Sequence, residues 1–267
     1  MSGDTFDADW LALREPVDHR SRSEAVVSPL VEAVGHRALG DVLDLGGGTG
    51  SNVRWLAPRL PGVVRWTVVD HDAGLLEALT PPSGAAVEPV VGDLAREGLA
   101  AVDSADLVTG SALLDLVGAS WVEALVEACA ARGCPALFAL SYDGRIAWSE
   151  PDPDDARVAE AVNRHQTGPK GMGAALGPGA WSYTAGAFEA AGYRVRTAAS
   201  PWVLNGPGDV PLVRALVDGW IDAAAQILPD SRRHLEAWGR RRLDAVSQGV
   251  RLEVGHRDVL AVPPGWP

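Results

Sequence analysis

The sequence predicts an α/β fold: a doubly wound, mostly parallel sheet of seven strands, with helical insertions. Three observations carry that prediction. A short apolar run at residues 41–45 ends in a cluster of glycines, followed at 52–57 by a segment of helix character. A strand that feeds such a loop into a helix N-terminus is the nucleotide-binding corner of an open α/β sheet. Strand and helix patterns then alternate five times between residues 41 and 141, as layered α/β packing requires. Finally, 267 residues, 47% hydrophobic and 22% charged, describe a globular chain able to bury a sizeable core.

Taken in order, residues 7–14 form a short amphipathic helix that Pro16 is expected to stop. A second helix covers roughly 23–39, with Val26, Leu30, Val34 and Ala38 at helical spacing and Pro29 asking for a kink or a later start. Residues 14–22 between them make a polar, arginine-rich connector. Beyond the glycine loop, strands are expected at 63–69, 87–91, 106–109 and 136–141. Helical segments fall at 73–79, 94–102 and 121–132. The segment 142–179 is polar and rich in Pro and Gly, with one helix at 154–165. Then follow a helix at 181–191, a sixth strand at 193–198, helices at 210–228 and 232–246, and a last strand at 259–262. This divides the chain into an N-terminal helical cap segment (1–39), an α/β core (40–142), an inserted lid (143–180) and the remainder of the sheet (181–267). That remainder carries a helical insertion at 209–248.

A formal charge of −12 argues against a nucleic-acid partner, which needs a basic face. No apolar run approaches the roughly 20 residues of a membrane span. Residues 1–9 are acidic and lack the basic-then-apolar order of a signal peptide, which points to the cytoplasm. Cys129 and Cys134 have no ligand partners at metal spacing and read as buried thiols in a reducing compartment. The six histidines are scattered, so no metal site is expected. Lys170 is the only lysine against 22 arginines, a bias that fits a high-GC bacterial genome.

Spacing decides which nucleotide the loop suits. A dinucleotide fingerprint needs a glycine at position 51, which is Ser51. The glycines fall instead at Gly46, Gly48 and Gly50, two residues apart and following Asp44. Ligands of an open sheet sit outside the carboxyl ends of its strands, so the residues just past each strand matter most. Past the second strand, Asp70 offers a carboxylate able to accept from both hydroxyls of a ribose. The other reading of an acid here, a helix N-cap, suits Asp72 better. Past the third strand stand Asp93 and Leu94, and past the fourth Ser111 and Asp115.

The run from Leu43 to Gly50, Asp70, Gly92-Asp93, and the stretch 111–117 resemble, in order and spacing, the class I S-adenosylmethionine (SAM)-dependent methyltransferases of small molecules. The resemblance covers about residues 40–142. It implies a Rossmann-like sheet closed by a reversed last strand, with the inserted segments capping its substrate end. It also implies SAM as cofactor and S-adenosylhomocysteine (SAH) as product. Asp44 would order the glycine loop through backbone hydrogen bonds and reach the ligand's ammonium through water. Asp70 would bind the ribose, with His71 against the adenine or ribose. Asp93 would accept from the adenine amino group, Leu94 would form an apolar wall, and Ser111 would lie beside the sulfonium. An element before the first strand would fold over the pocket.

The acceptor is written in the parts without a family pattern, 1–39 and 143–267. Asp115 suits a general base, an orienting acceptor, or a helix cap. His165 is a second base candidate, or an exposed or capping histidine. Arg14 and Arg22 of the connector, Tyr142, and Lys170 in a glycine-rich loop are candidates to bind an anionic substrate, or else are solvated surface groups. The expectation is a methyltransferase acting on a small metabolite by in-line attack on the sulfonium. The alternatives are a SAM- or SAH-binding protein without catalysis, or another transfer on the same fold, such as aminopropyl transfer or cyclisation. The Asn/Asp-Pro-Pro motif of nucleic-acid amino methyltransferases is missing after the fourth strand.

Overall fold

The computed structural model describes residues 7–35, 39–60, 62–170 and 173–266. Two helices, α1 (Ala8–Ser21) and α2 (Glu24–Gly35), precede β1 (Asp41–Leu45), which leads through the glycine loop to α3 (Ser51–Leu56). Then follow β2 (Arg65–Asp70), α4 (Ala73–Glu77), β3 (Val87–Val91), a π-helical turn (Leu94–Gly98) running into α5 (Leu99–Ala101), and β4 (Leu107–Ser111). Next come α6 (Ala119–Arg132), β5 (Ala136–Trp148) and α7 (Asp155–Gln166). The small strands β6 (Pro169–Lys170) and β7 (Gly173–Ala174) lead to α8 (Ala180–Ala190), β8 (Arg194–Ala199) and β9 (Trp202–Leu204). The chain closes with α9 (Val210–Ile227), α10 (Arg232–Ser247) and β10 (Leu252–Val262).

The main sheet runs β3-β2-β1-β4-β5-β10-β8, with β9 added to β10. The first five strands in that order pair in parallel, whereas β10 is antiparallel to both β5 and β8. This is the expected doubly wound sheet with its reversed last strand, carrying one extra short strand. Side chains alternate across it with period two. Leu43 and Leu45 join the core beneath α6 and α8, and Val42 joins the core beneath α2 and α3. A third core, around Trp202, Val217, Trp220 and Trp238, joins α7, α9 and α10 to the far half of β10. Among the described residues no helix is long and apolar enough to cross a membrane.

Three expectations need correction. Pro16 does not stop α1, and the supposed connector 14–22 is the second half of that helix with its C-cap, Arg22. A proline inside a helix forfeits one backbone hydrogen bond, and here neighbouring contacts hold the helix through it. The Arg14–Asp18 pair spans the proline at i,i+4, Glu15 is tied to Arg54, and Val17 and Asp18 are buried. α2 begins at Glu24 rather than near Ser28, with Pro29 inside it; residues 36–38, where the predicted helix ends, lie outside the described residues. The fifth and last strands are much longer than predicted, since their extensions pair with each other from Tyr142 to Trp148 and from Leu252 to His256. Polar residues such as Asp143, Arg145, Glu253 and Arg257 hide this ribbon from a hydrophobic pattern.

Candidate functional site

The carboxyl ends of β1, β2, β3 and β4 and the inner face of α1 enclose a cavity of about 320 Å³, within the usual range for a small-molecule site. Its floor is the glycine loop. Gly46 and Gly48 have φ of 64° and 50°, left-handed values that disfavour any residue with a Cβ. A Cβ on Gly48 would stand 3.1 Å from Leu11 Cδ1, because α1 roofs the loop. The loop is tied down by Gly46 N–H donating to the Val69 carbonyl at 2.8 Å and Gly48 N–H donating to Asp70 Oδ2 at 2.9 Å.

Asp70 is buried at the end of β2 and faces this cavity. Its second oxygen accepts from the Asp72 backbone at 3.0 Å, and His71 Nδ1 lies 3.4 Å from that oxygen. Each carboxylate oxygen has two acceptor sites, so both retain capacity for a ligand hydroxyl. Asp72 caps α4, accepting from the Gly74 and Leu75 N–H groups, as its sequence position suggested. Asp93 starts the π-helical turn and accepts from Ala95 N–H at 2.6 Å; Leu94 behind it is buried, and both line the cavity. π-helical turns recur at functional sites because they redirect a side chain. Ser111, Ala112 and Leu113 close the remaining side. Ala112 has φ 51°, a left-handed conformation rare for a residue with a Cβ and frequent where a site constrains the backbone.

Asp44 is placed differently from the expectation. It is fully buried beneath the loop and off the cavity wall, and the acid that orders the loop backbone is Asp70. On β1 it faces α3 rather than the ligand side, alongside Thr109 on β4. Asn52 of α3 donates from Nδ2 to Asp44 Oδ1 at 2.6 Å and to Thr109 Oγ1 at 3.1 Å. Burial pushes the Asp44 carboxyl up to about 7, against the opposing pull of Asn52 and Arg22. A carboxyl raised above its ordinary 3.8 is protonated in the folded chain while already ionised in the unfolded one. Its contribution to stability therefore falls as pH rises from about 4 to about 7, then levels off. Asp44→Asn is expected to remove that part of the pH dependence, read from urea midpoints of the two proteins across this range. Parallel profiles would refute the assignment.

Arg22 is buried behind the wall rather than in the cavity. It donates to Asn52 Oδ1 at 2.5 Å and to Ser111 Oγ at 3.0 Å, and its guanidinium carbon lies 4.8 Å from the Trp55 ring centre. Burial lowers its pKa, which Asp18, Asp258 and Asp44 counteract. Arg14 does reach the cavity. It is held by Asp18 through Nε at 2.9 Å and Nη2 at 3.3 Å, and stacks 5.0 Å from the Trp202 ring centre. Trp202 Nε1 in turn donates to Asp18 Oδ1 at 3.0 Å.

Asp115, His165 and Tyr142 lie off the cavity wall. Asp115 is buried in a single 3-10 turn, Leu114–Leu116, whose neighbours Leu113 and Leu116 face the cavity instead. His165 ends α7 with Nε2 3.3 Å from Gln226 Oε1 on α9. Tyr142 is buried and donates to Asn163 Oδ1 at 2.7 Å; burial, then Asp143 and Asp115, pushes its hydroxyl above the ordinary range. Lys170 lies in the β6–β7 pair, and its side chain is outside the described residues. The structure thus gathers His71, Asp70, Asp93, Leu94, Ser111, the loop glycines Gly46 and Gly48, and Arg14 around one cavity, and leaves Asp44, Gly50, Asp115, His165, Tyr142 and Arg22 off its wall. Asn52, Asp18 and Leu11 are site residues that sequence reasoning missed. Asn52 gave one faint signal, a polar side chain on a helix turn that must pack against the sheet.

Comparison with known proteins adds the following. The sequence model of a methyltransferase domain matches residues 42–132. No curated protein matches the sequence. Among solved structures, a cyclopropane-fatty-acyl-phospholipid synthase-like protein from Lactobacillus casei is 15% identical, with 98% of this chain and 95% of that one covered at a TM-score of 0.55. At that identity the likeness speaks for the fold. A SAM-dependent methyltransferase from Geobacter sulfurreducens, in complex with SAH, is 15% identical over 98% of this chain and 100% of that one, TM-score 0.47. An O-methyltransferase family protein from Burkholderia thailandensis is 19% identical over 64% of this chain, at a TM-score of 0.41. The present chain spans about half of that protein's length, 52%. The domain match makes residues 42–132 a methyltransferase domain, and the strand order with its reversed strand is that of the Rossmann-like methyltransferase fold.

Proposed function

We propose that the protein transfers the methyl group of SAM to a small-molecule acceptor at the cavity described above. The observation that carries this is the Asp70 carboxylate. It is buried at the end of β2, fixed by two backbone N–H groups at 2.9 and 3.0 Å, and turned to the cavity beside the loop glycines. A cis-diol is the ligand group such an acceptor pair fits. Asp93 and Leu94 suit the adenine, and the loop with Ser111 suits the methionine portion. Bound there, SAM supplies a methyl already activated by the sulfonium, so the protein's task is alignment and exclusion of water. Leu11, Leu113 and Leu116 contribute apolar wall. Arg22 fixes the Ser111 hydroxyl, and α1 covers the loop.

The acceptor would approach between α1 and the segment 111–116. Arg14, the one arginine on the cavity wall among the described residues, is engaged twice by Asp18. That arrangement favours an uncharged acceptor over the anionic one expected from the arginine-rich sequence. Calorimetric titration with SAM, SAH and NADH tests the donor assignment: SAM and SAH are expected to bind and NADH not. NADH binding in their place would overturn it. Turnover separates methyl transfer, which releases SAH, from aminopropyl transfer, which leaves methylthioadenosine; the mass of the acceptor product separates it from cyclisation.

A further inference from the structure

Arg54 lies one turn into α3 and touches three segments: the glycine loop, the stretch after α4, and α1. Its Nη1 donates to the Thr49 carbonyl of the glycine loop at 2.5 Å and to the Thr80 carbonyl beyond α4 at 2.9 Å. Its Nε and Nη2 donate to the two carboxylate oxygens of Glu15 on α1, at 2.7 and 2.5 Å. This is a bidentate arginine–carboxylate pair, the geometry in which such a pair is strongest and most directional. Both side chains are largely shielded, at 22 and 20% exposure. Arg54 holds the Glu15 carboxyl below its ordinary range against the cost of burial.

The pair matters because it ties α1 to the loop side of the cavity, whereas the apolar seat of the helix, Val17 with half-buried Trp10 and Leu13, packs on the core around Trp202. Of its residues only Val17 and Asp18 are buried. Polar contacts add to that seat, such as His19 Nε2 with Ser51 at 3.1 Å and Arg20 with Asp209 at 2.5 Å. Yet α1 supplies the roof of the cavity through Leu11, Arg14 and Asp18. Arg54 joins roof and floor through a charge-assisted pair, beside the His19–Ser51 contact.

We infer that Arg54 is a positioning residue of the donor site: it sets the glycine loop through Thr49 and latches α1 over the cavity through Glu15. A bound SAH therefore leaves at a rate governed by the Glu15–Arg54 pair. The inference rests on the SAM reading given above. The experiment is SAH dissociation by stopped flow, with affinity by calorimetry, for the full chain and for Arg54→Gln, Glu15→Gln and the double variant.

Each single variant is expected to speed release about tenfold with association little changed, as loss of a charge-assisted pair implies. The double variant should release SAH no faster than the quicker single one, because the two substitutions break the same contact. Added salt should speed release from the wild type and do so far less in either single variant, a response that a purely structural role would not produce. Arg132→Gln, which removes an exposed ion pair with Asp106 at the other end of β4, should leave release unchanged. Should Arg54→Gln not fold, Glu15→Gln carries the test alone. Folded variants that release SAH at the wild-type rate, or that act additively, overturn the latch while leaving the donor site standing. A wild type that binds no SAH overturns the donor-site reading and the latch with it.

Discussion

Asp70→Ala is expected to weaken SAH binding by at least about a hundredfold, measured by calorimetry at constant salt. Two losses combine. Each charge-assisted hydrogen bond to a ribose hydroxyl is worth about 1.5–3 kcal/mol, and roughly 1.4 kcal/mol is tenfold in affinity. The same substitution frees the N–H groups of Gly48 and Asp72, so the loop and the start of α4 lose the acceptor that fixes them. Asp70→Asn should fall between, since an amide nitrogen facing a backbone N–H replaces one acceptor by a second donor. An alanine variant that binds SAH as the wild type does would remove the central support of the functional reading.

Asp258→Ala is expected to cost about 3–5 kcal/mol of stability, the range for removing one partner of a buried charged network. For a chain of this size that corresponds to a fall in Tm on the order of 10 °C, checked by calorimetry and urea unfolding. Asp258 is fully buried on β10 and accepts three hydrogen bonds: from Leu140 N–H and Ser200 Oγ on one oxygen, at 2.8 and 2.6 Å, and from Ser23 N–H at 2.8 Å on the other. Its loss leaves three donors to be satisfied by nothing of the same shape, and it deprives buried Arg22 of one of its compensating charges. Leu140 adds to the effect. It holds φ at 57° within β5, a conformation costing about 1–2 kcal/mol for a residue with a Cβ. The Asp258 contact is what fixes its N–H. A loss below about 1 kcal/mol would show that water or a rearranged serine takes over these contacts.

How much of this was legible beforehand follows from what each residue answers to. Asp70, Asp93 and Ser111 answer to topology: they follow strands whose apolar runs are unmistakable, and the ends of such strands are where an open sheet binds ligands. The sheet itself was legible for the same reason. Asp44 sits on a strand whose two faces both read as buried, and only the register of β1 against α3 shows that it points at Asn52. Arg22 and Glu15 answer to long-range partners, Ser111 with Asn52 and Arg54, and Arg14 answers to Asp18 one turn on and to distant Trp202. Composition revealed a basic connector, while the pairing that consumes its charges depends on a helix continuing through Pro16. Tyr142 and His165 lie in segments whose neighbours in space come from the last sixty residues, so no local pattern says which surface they meet.

The length of β10 has a consequence for how the molecule holds together. One half of this strand pairs with β8 and the inner part of β5; the other half pairs with β9 and the outer ribbon of β5, against the core shared with α7, α9 and α10. The ligand-binding half and the helical half are therefore two ends of one continuous strand rather than two bodies joined by a linker. Opening either end strips hydrogen bonds from the other, which makes their unfolding cooperative. The segment 42–132, which matches the methyltransferase domain, shares its two cores with Leu260 and Ala261 of that strand. The helices α7, α9 and α10 are thus anchored to the sheet through the register of β10.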